Sequence, residues 1–377
     1  MLIDYSKCFG CSACASVCPT NAIKMEKDEK GFQYPVVNNK LCIECGRCEH
    51  VCIYMNRKGN NTSIKKAYCF IHKDKKVLSK SASGGLFTAL SDVILSRNGV
   101  IYGAMLDDGI QIRHSRATTK QERDLMCGSK YVQSNLGETF RCAKKDLQAG
   151  RYVLFTGTPC QIDGLKSFLE GTDIEKLYTC DLICNGVPSP LIWEENIKLI
   201  EKKYRKKVMG YQFRPKKWGW SIHREIVWFN NHKKLYATFY SDLFKNIYYG
   251  RLAMRKSCDT CPYTNLTRVG DITMGDCRNI EKIYPKMPTF EGASLAMVNT
   301  ENGMELFIEA SKNAEIYPID DIEKILQPPM MKPGKTSKNS ESFWNDYKHK
   351  GYEYAVKRQY GKLCVAKYYI KKFLYKK

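Results

Sequence analysis

Apolar and polar positions alternate in short runs along the middle of the chain, and each run predicts a strand or a helix. Four apolar runs predict strands, at residues 67–71, 99–105, 152–155 and 177–183. Apolar residues at helical spacing predict four helices, at residues 86–95, 136–147, 161–169 and 191–204. Strands that alternate with helices are typical of a partly parallel sheet covered by helices, so we expect a mixed α/β (α+β / α/β) fold.

Three segments depart from this alternation. Residues 22–25 and 32–37 predict the strands of a short hairpin, and residues 208–240, which contain Trp218, Trp220 and Trp228, predict an antiparallel insertion or edge. Five apolar residues near the C-terminus fall on one helical face: Leu363, Ala366, Ile370, Phe373 and Leu374. We interpret this face as a helix docked on the protein's own core, with peripheral membrane contact or partner docking as the alternatives.

One cysteine pattern occurs twice near the N-terminus. Cys8-x2-Cys11-x2-Cys14-x3-Cys18-Pro19 is repeated, 34 residues later and without the proline, as Cys42-x2-Cys45-x2-Cys48-x3-Cys52. This is the run that holds a [4Fe–4S] cluster in two-cluster ferredoxins, where the fourth cysteine of each run binds the other cluster. We therefore predict a Cys8 group (Cys8, Cys11, Cys14 and Cys52) and a Cys42 group (Cys42, Cys45, Cys48 and Cys18). A pair of zinc sites is the main alternative, but structural zinc usually has two separated ligand pairs.

Composition places these clusters in a reducing compartment. The 377 residues include 18 cysteines, too few for a disulfide scaffold, and their clustering favours metal ligation. We find no apolar signal region at the N-terminus and no window long enough to span a membrane, so we expect a cytoplasmic protein.

The charge pattern argues against nucleic-acid binding, although the net charge is +22. Lysines are spread over the whole chain rather than gathered on one binding element, and residues 330–377 hold the steepest excess, with 13 Lys/Arg against 3 Asp/Glu. A basic surface equally suits acidic proteins, anionic cofactors or a membrane surface.

Four cysteines outside the repeat have informative positions. Cys160 and Cys184 follow predicted strands, and such strand ends line the ligand crevice of α/β sheets. Cys258-x2-Cys261 is a third CxxC pair, which alone fits zinc, a redox disulfide or cluster ligation.

Several blocks of the chain resemble one family. They are residues 81–95, 128–134, 155–161 and 181–190, and the Cys258-x2-Cys261 pair with residues 270–276. In this order they are similar to the coenzyme F-420 hydrogenase/dehydrogenase beta-subunit family, in the form with an N-terminal two-cluster ferredoxin domain. The resemblance runs from Cys8 to about residue 330. Where we expect aromatic residues after Gly275-Asp276, this chain has Cys277-Arg278.

The resemblance implies FAD, hydride exchange with a deazaflavin or a related small-molecule donor or acceptor, and onward transfer of electrons through clusters to a redox partner protein or ferredoxin. It also implies a third [4Fe–4S] cluster on a Cys160 group (Cys160, Cys184, Cys258 and Cys261); a zinc or disulfide pair at the CxxC is the alternative. We expect the small-residue loop Ser83-Gly84-Gly85 to present amides to a pyrophosphate at a helix N-terminus. Five further residues are predicted cofactor contacts: Ser129, Lys130, Tyr131, Thr158 and Asp276.

These observations divide the chain into three parts and leave three hypotheses. We predict a ferredoxin-type domain at 1–60, a flavin and iron–sulfur domain at 67–330, and a basic aromatic extension at 331–377. The leading hypothesis is an FAD-dependent iron–sulfur oxidoreductase. A non-catalytic electron-transfer adaptor and a redox sensor that binds nucleic acid are the alternatives.

Overall fold

The computed structural model describes residues 4–56, 62–107, 110–220, 222–287 and 291–361. The amphipathic face predicted at Leu363–Leu374 lies outside these residues. Among the described helices, none combines the length and apolar character that crossing a bilayer requires.

The N-terminal part is built from two short helices and a hairpin. Its elements are α1 (Ala13–Val17), β1 (Ile23–Lys27), β2 (Gln33–Val37) and α2 (Arg47–His50). The hairpin prediction is confirmed, because β1 and β2 pair antiparallel with Ile23 opposite Val37. Each helix starts from a left-handed residue, Ser12 (φ 62°) before α1 and Gly46 (φ 70°) before α2, so the cysteine loops turn sharply into the helices.

The larger part follows in chain order. Its first elements are β3 (Thr62–Ser63), β4 (Lys66–His72), α3 (Lys75–Lys80), α4 (Leu86–Ser96), β5 (Val100–Asp107), β6 (Gln111–Ala117), α5 (Lys120–Asp124), α6 (Thr139–Gln148), β7 (Val153–Gly157), α7 (Pro159–Phe168), β8 (Leu177–Leu182) and α8 (Pro190–Tyr204). The remaining elements are β9 (Val208–Gln212), β10 (Ile226–Phe229), β11 (Lys234–Tyr236), α9 (Leu243–Tyr249), β12 (Thr267–Arg268), β13 (Ile272–Asp276), β14 (Ser294–Val298), α10 (Glu301–Ala310), β15 (Ala314–Pro318) and α11 (Ser340–Lys350).

The central sheet has eight strands in the order β15-β4-β14-β13-β8-β7-β5-β6. The neighbours β5/β7, β7/β8 and β8/β13 are parallel, and the outer pairs are antiparallel. The prediction of a mixed α/β sheet is therefore confirmed. All five residues of β7 and all five of β14 are buried, as expected for strands covered on both faces.

The aromatic segment after α8 forms a separate sheet in the order β11-β10-β9, antiparallel throughout, which confirms that prediction. Its apolar side packs with α8 and α9 in a cluster around Trp193, Phe213 and Phe244. This packing fixes α9 and the loop before β10, both of which reach the site described below.

Candidate functional site

The structure brings the four thiols of the Cys8 group together at α1 and the end of α2. Burial raises the pKa of Cys14 to about 12, and the neighbouring charges of Cys8 and Cys52 act in the same direction. Burial also raises the pKa of Cys8, again with a contribution from Cys52. Cys52 and Cys48 of the second run both lie near Cys14, so the crossed assignment stays a prediction.

The Cys42 group is the more exposed of the two N-terminal groups. Cys42 and Cys45 are exposed and Cys48 is half-buried. The Cys18 sulfur accepts a hydrogen bond from the Ala22 N–H (3.2 Å) and lies 3.7 Å from the Thr20 hydroxyl oxygen. Although burial opposes it, these contacts lower the pKa of Cys18, so they favour the thiolate that iron binds.

The Cys160 group gathers from three separate elements. Cys160 lies in the first turn of α7, Cys184 follows β8, and Cys258 and Cys261 lie in and just after the short 3-10 helix Lys256–Thr260. Burial raises the pKa of Cys160 to about 12 and that of Cys184 well above its usual value, and nearby Cys258 and Cys261 add to both effects. Thiols from three distant parts of the sequence are thus neighbours in the fold.

A [4Fe–4S] cluster does not require the four thiols of a group to converge on one point, as a single metal ion would. Within the described part of the chain, no three His, Cys, Asp or Glu side chains are gathered closely enough to hold a single metal ion. In a cubane cluster each thiolate binds a different iron, so the sulfurs surround the cluster from four sides.

Helix α7 links the Cys160 group to the Cys8 group. The helix begins with Pro159, and the Thr158 N–H donates to the Gln161 side-chain oxygen (2.9 Å), so the start of the helix is fixed slightly before the predicted start at Gln161. One turn after Cys160, Gly164 packs directly on Cys11: an added Cβ would lie 2.8 Å from the Cys11 Cβ and 2.9 Å from its sulfur.

A cavity of about 700 Å³ lies on the other side of the Cys160 group, and Cys160 and Cys184 form part of its wall. This volume falls within the usual range for cofactor and substrate sites. Seven of the eight predicted cofactor contacts line it: Ser83, Gly85, Ser129, Lys130, Tyr131, Thr158 and Asp276.

Gly84 is the one residue of the loop Ser83-Gly84-Gly85 that differs from its predicted role as a cofactor contact. It is not among the described residues that line the cavity, because its N–H donates to the Ser294 hydroxyl (2.8 Å) and it packs against the sheet. A Cβ at this position would lie 2.1 Å from the Phe70 carbonyl oxygen, so the site requires glycine for close packing of the loop. Gly85, with φ 88°, then starts α4 at the cavity wall.

Lys130, a predicted cofactor contact that lines the cavity, is also bound to the backbone of the loop before it. Its ammonium group donates to the carbonyl oxygens of Met126 (2.6 Å) and Cys127 (2.9 Å), with Leu125 at 3.4 Å. Burial lowers the pKa of Lys130 to about 8. The residue therefore holds the loop that precedes Tyr131.

Asp276 lies between two arginines where the chain departs from the pattern that we expected. Its carboxylate is 2.8 Å from Arg214 and 3.0 Å from Arg278, and the Arg278 guanidinium lies over the Trp220 ring at 5.5 Å. Since Arg214 and Arg278 carry two positive charges against one negative charge on Asp276, this part of the cavity wall is positively charged.

Sequence reasoning missed His223 and its neighbours. The His223 Nδ1 is 2.8 Å from the hydroxyl of cavity-lining Tyr249, and its ring lies 4.9 Å from the Tyr131 ring. Its Nε2 faces the Glu225 Oε1 at 4.0 Å, and both atoms are buried without a hydrogen bond. Burial, and then the charges of Arg214 and Lys245, lower the pKa of His223 to about 3. No motif surrounds His223, so only the three-dimensional contacts reveal it.

Two family models match this chain. The 4Fe-4S dicluster domain matches residues 7–56, and the model for the C terminus of the coenzyme F420 hydrogenase/dehydrogenase beta subunit matches residues 150–323. The protein thus joins a 4Fe-4S dicluster domain to the C-terminal domain of the F420 hydrogenase/dehydrogenase beta subunit. Residues 150–323 thus carry the beta-subunit domain of this family, and residues 7–56 carry the dicluster domain.

The chain is also similar to one curated enzyme and to one chain of a solved complex. The coenzyme F420-dependent sulfite reductase of Methanocaldococcus jannaschii is 24% identical over 192 residues, which are 50% of this chain but 29% of that protein. The match thus spans less than a third of that relative. A chain of the F420-reducing [NiFe] hydrogenase complex from Methanosarcina barkeri aligns with a TM-score of 0.48 and 16% identity, over 79% of this chain and 92% of its own length.

Proposed function

We propose that this protein is an FAD-dependent oxidoreductase subunit that converts hydride chemistry in the cavity into one-electron transfer through three [4Fe–4S] clusters. The observation that carries the proposal is the shared wall: Cys160 and Cys184 border the cavity and also belong to a group of four neighbouring, half-buried thiols. A cluster on that group would lie beside any cofactor in the cavity.

The residues around the cavity fit a flavin dinucleotide. Gly85 at the start of α4, together with Ser129, offers a small side chain and a polar group to a pyrophosphate, while Ser83 beside them donates its hydroxyl to the Ala293 carbonyl (2.6 Å). Tyr131 and Tyr249 offer aromatic surface for a planar ring. When bound, FAD would accept a hydride and release electrons singly, which a cubane cluster requires.

The chain's own residues would handle the proton that accompanies hydride exchange. The Tyr249 hydroxyl lines the cavity and is hydrogen-bonded to His223, whose other nitrogen faces Glu225. Burial raises the pKa of Glu225 to about 8, so this carboxyl can hold or release a proton near neutral pH. His223 would orient Tyr249 toward the bound hydride carrier.

We expect electrons to pass from the cluster beside the cavity to the most exposed cluster. From the Cys160 group, α7 leads to the Cys8 group through Gly164 and Cys11, and the Cys42 group is exposed. Leu41 (48% exposed) and Ile43 (63% exposed) flank Cys42, so a redox partner protein would find apolar surface beside the outermost cluster. A deazaflavin of the F420 type, which the related enzymes' names specify, is the small-molecule carrier that we propose.

Cofactor content tests the proposal. Anaerobically purified protein should contain about one FAD and roughly twelve irons per chain, four for each of three cubane clusters. The double variant Cys258→Ser/Cys261→Ser should lose about four irons, whereas Cys142→Ser, a half-buried cysteine outside the three groups, should lose none. A folded wild-type chain that binds no flavin after reconstitution would instead be an electron-transfer adaptor.

A further inference from the structure

Arg255 is a buried cation at the junction of the two cysteine-rich parts. The residue is 1% exposed and immediately precedes the 3-10 helix that carries Cys258. Its Nε donates to the Cys8 carbonyl (2.8 Å), and its two terminal nitrogens donate to the Gln33 carbonyl and the Gln133 side-chain oxygen, both at 3.0 Å. All three acceptors are neutral.

The charge of Arg255 has no carboxylate partner among the residues that the structure describes. Its neighbour Lys256 pairs with Asp259, and another buried arginine, Arg268, pairs with Asp181 at 2.7 Å. The Tyr34 ring, 4.4 Å from the guanidinium, covers the charge with an aromatic face. A buried charge without a counter-ion is strongly unfavourable, so an anion is expected beside Arg255 when the protein carries its cofactors.

Arg255 contacts cysteines of two different groups. Its Nε donates to the Cys8 carbonyl, and its own carbonyl oxygen accepts the Cys258 N–H (3.0 Å). Cys8 belongs to the Cys8 group, while Cys258 belongs to the Cys160 group. Arg255 therefore joins the two groups that are proposed to hold clusters.

We propose that Arg255 is the shared counter-ion of the cluster on the Cys8 group and the cluster on the Cys160 group, and that it raises the reduction potential of both. This inference rests on the third cluster of the proposed function. Each reduction adds one negative charge to a cluster, and a desolvated cation nearby favours that reduced state. Because one cation serves both clusters, the negative charge added when one cluster is reduced partly offsets the effect of Arg255 on the other cluster. The second reduction is then less favourable, so electrons cross the junction one at a time.

Redox titrations of the intact, anaerobically purified protein, followed by EPR, test this role. Arg255→Gln removes the charge and should lower the potentials of the clusters on the Cys8 and Cys160 groups, while the exposed cluster on the Cys42 group keeps its potential. Arg255→Lys keeps the charge but loses the fork of hydrogen bonds, and should restore most of the potential. Arg141→Gln is the matched control, because Arg141 also donates to carbonyls of the ferredoxin part (Ala15 and Ser16, both 2.8 Å) but is paired with Glu138.

Gln133→Glu supplies a second test if Arg255→Gln does not fold. The new carboxylate would lie 3.0 Å from the guanidinium and neutralise it in place, so it should lower the same two potentials. Equal shifts for Arg255→Lys and Arg255→Gln would assign Arg255 a purely structural role and overturn the proposal, as would unchanged potentials in Gln133→Glu and Arg255→Gln. An iron content near eight per wild-type chain would refute the third cluster independently of Arg255. With three clusters present, a change of reduction potential confined to the cluster on the Cys8 group would refute the shared role.

Discussion

The ion pair between Asp181 and Arg268 gives the sharpest prediction about stability. It joins the end of β8 to the segment just before β13, so it fixes the two strands that lead to Cys184 and Asp276. The two side chains are 0% and 1% exposed and 2.7 Å apart, and the second Asp181 oxygen accepts the N–H groups of Val269 (3.2 Å) and Gly270 (2.8 Å).

Asp181→Asn preserves the shape of the side chain and removes its charge, which leaves the Arg268 guanidinium buried without an anion. Breaking one partner of a buried ion pair costs about 3–5 kcal/mol, because the remaining charge keeps its desolvation penalty. We therefore expect the free energy of unfolding to fall by about 3–5 kcal/mol, more than a hundredfold in the ratio of folded to unfolded chains.

Urea-induced unfolding followed by tryptophan fluorescence under anaerobic conditions measures this change. The control is Lys348→Met, which breaks the ion pair of Lys348 with Glu29, whose side chains are 68% and 81% exposed. An exposed pair contributes about 0–1 kcal/mol, so this variant should unfold almost as the wild type does. If Asp181→Asn lies within about 1 kcal/mol of the control, the buried pair does not stabilise the site edge as we argue.

Two further predictions concern contacts at the cluster junction and below the cavity. Gly164→Ala places a Cβ 2.8–2.9 Å from Cys11. This overpacking should lower the free energy of unfolding by roughly 1–3 kcal/mol and disturb the EPR signal of the cluster on the Cys8 group. The control Gly210→Ala, whose Cβ would have its nearest neighbour at 3.6 Å, should leave the signal intact. Burial raises the pKa of Glu225 from 4.5 to about 8, so the stability that its neutral form provides is lost as the pH rises toward 8. Glu225→Gln should remove that loss between about pH 5 and pH 8 in melting experiments, and an unchanged pH dependence would show that Glu225 is already ionised.

The sequence predicted the elements whose signal is local. Apolar runs identified β4, β5, β7 and β8, and helical spacing identified α4 and α8 to within a residue or two. The strands β13, β14 and β15 were not predicted, and neither was their pairing, which joins segments far apart in the chain, such as β14 with β4. Periodicity carries no information about such pairing.

The same distinction applies to the candidate site. The cysteine spacing identified the metal-binding runs, since iron imposes a fixed ligand pattern. The hydrogen-bond partners of Lys130 and Gly84 were not predicted from sequence, because they are backbone carbonyls and a hydroxyl that the fold brings close. Arg214, which lines the cavity, and His223, which contacts cavity-lining Tyr249, belong to no motif and are positioned by the packing of the β9–β11 sheet and α9.

The most direct test of the central claim is whether an electron that starts on the flavin reaches the clusters of the same chain. Photoreduction of bound FAD in anaerobic protein, followed by rapid freezing and EPR, measures this transfer. We predict that reduced-cluster signals appear as the reduced flavin disappears, and that Cys258→Ser/Cys261→Ser slows their appearance at least tenfold while Cys142→Ser does not. A flavin that stays reduced while the clusters of the wild-type protein remain oxidised would contradict the account.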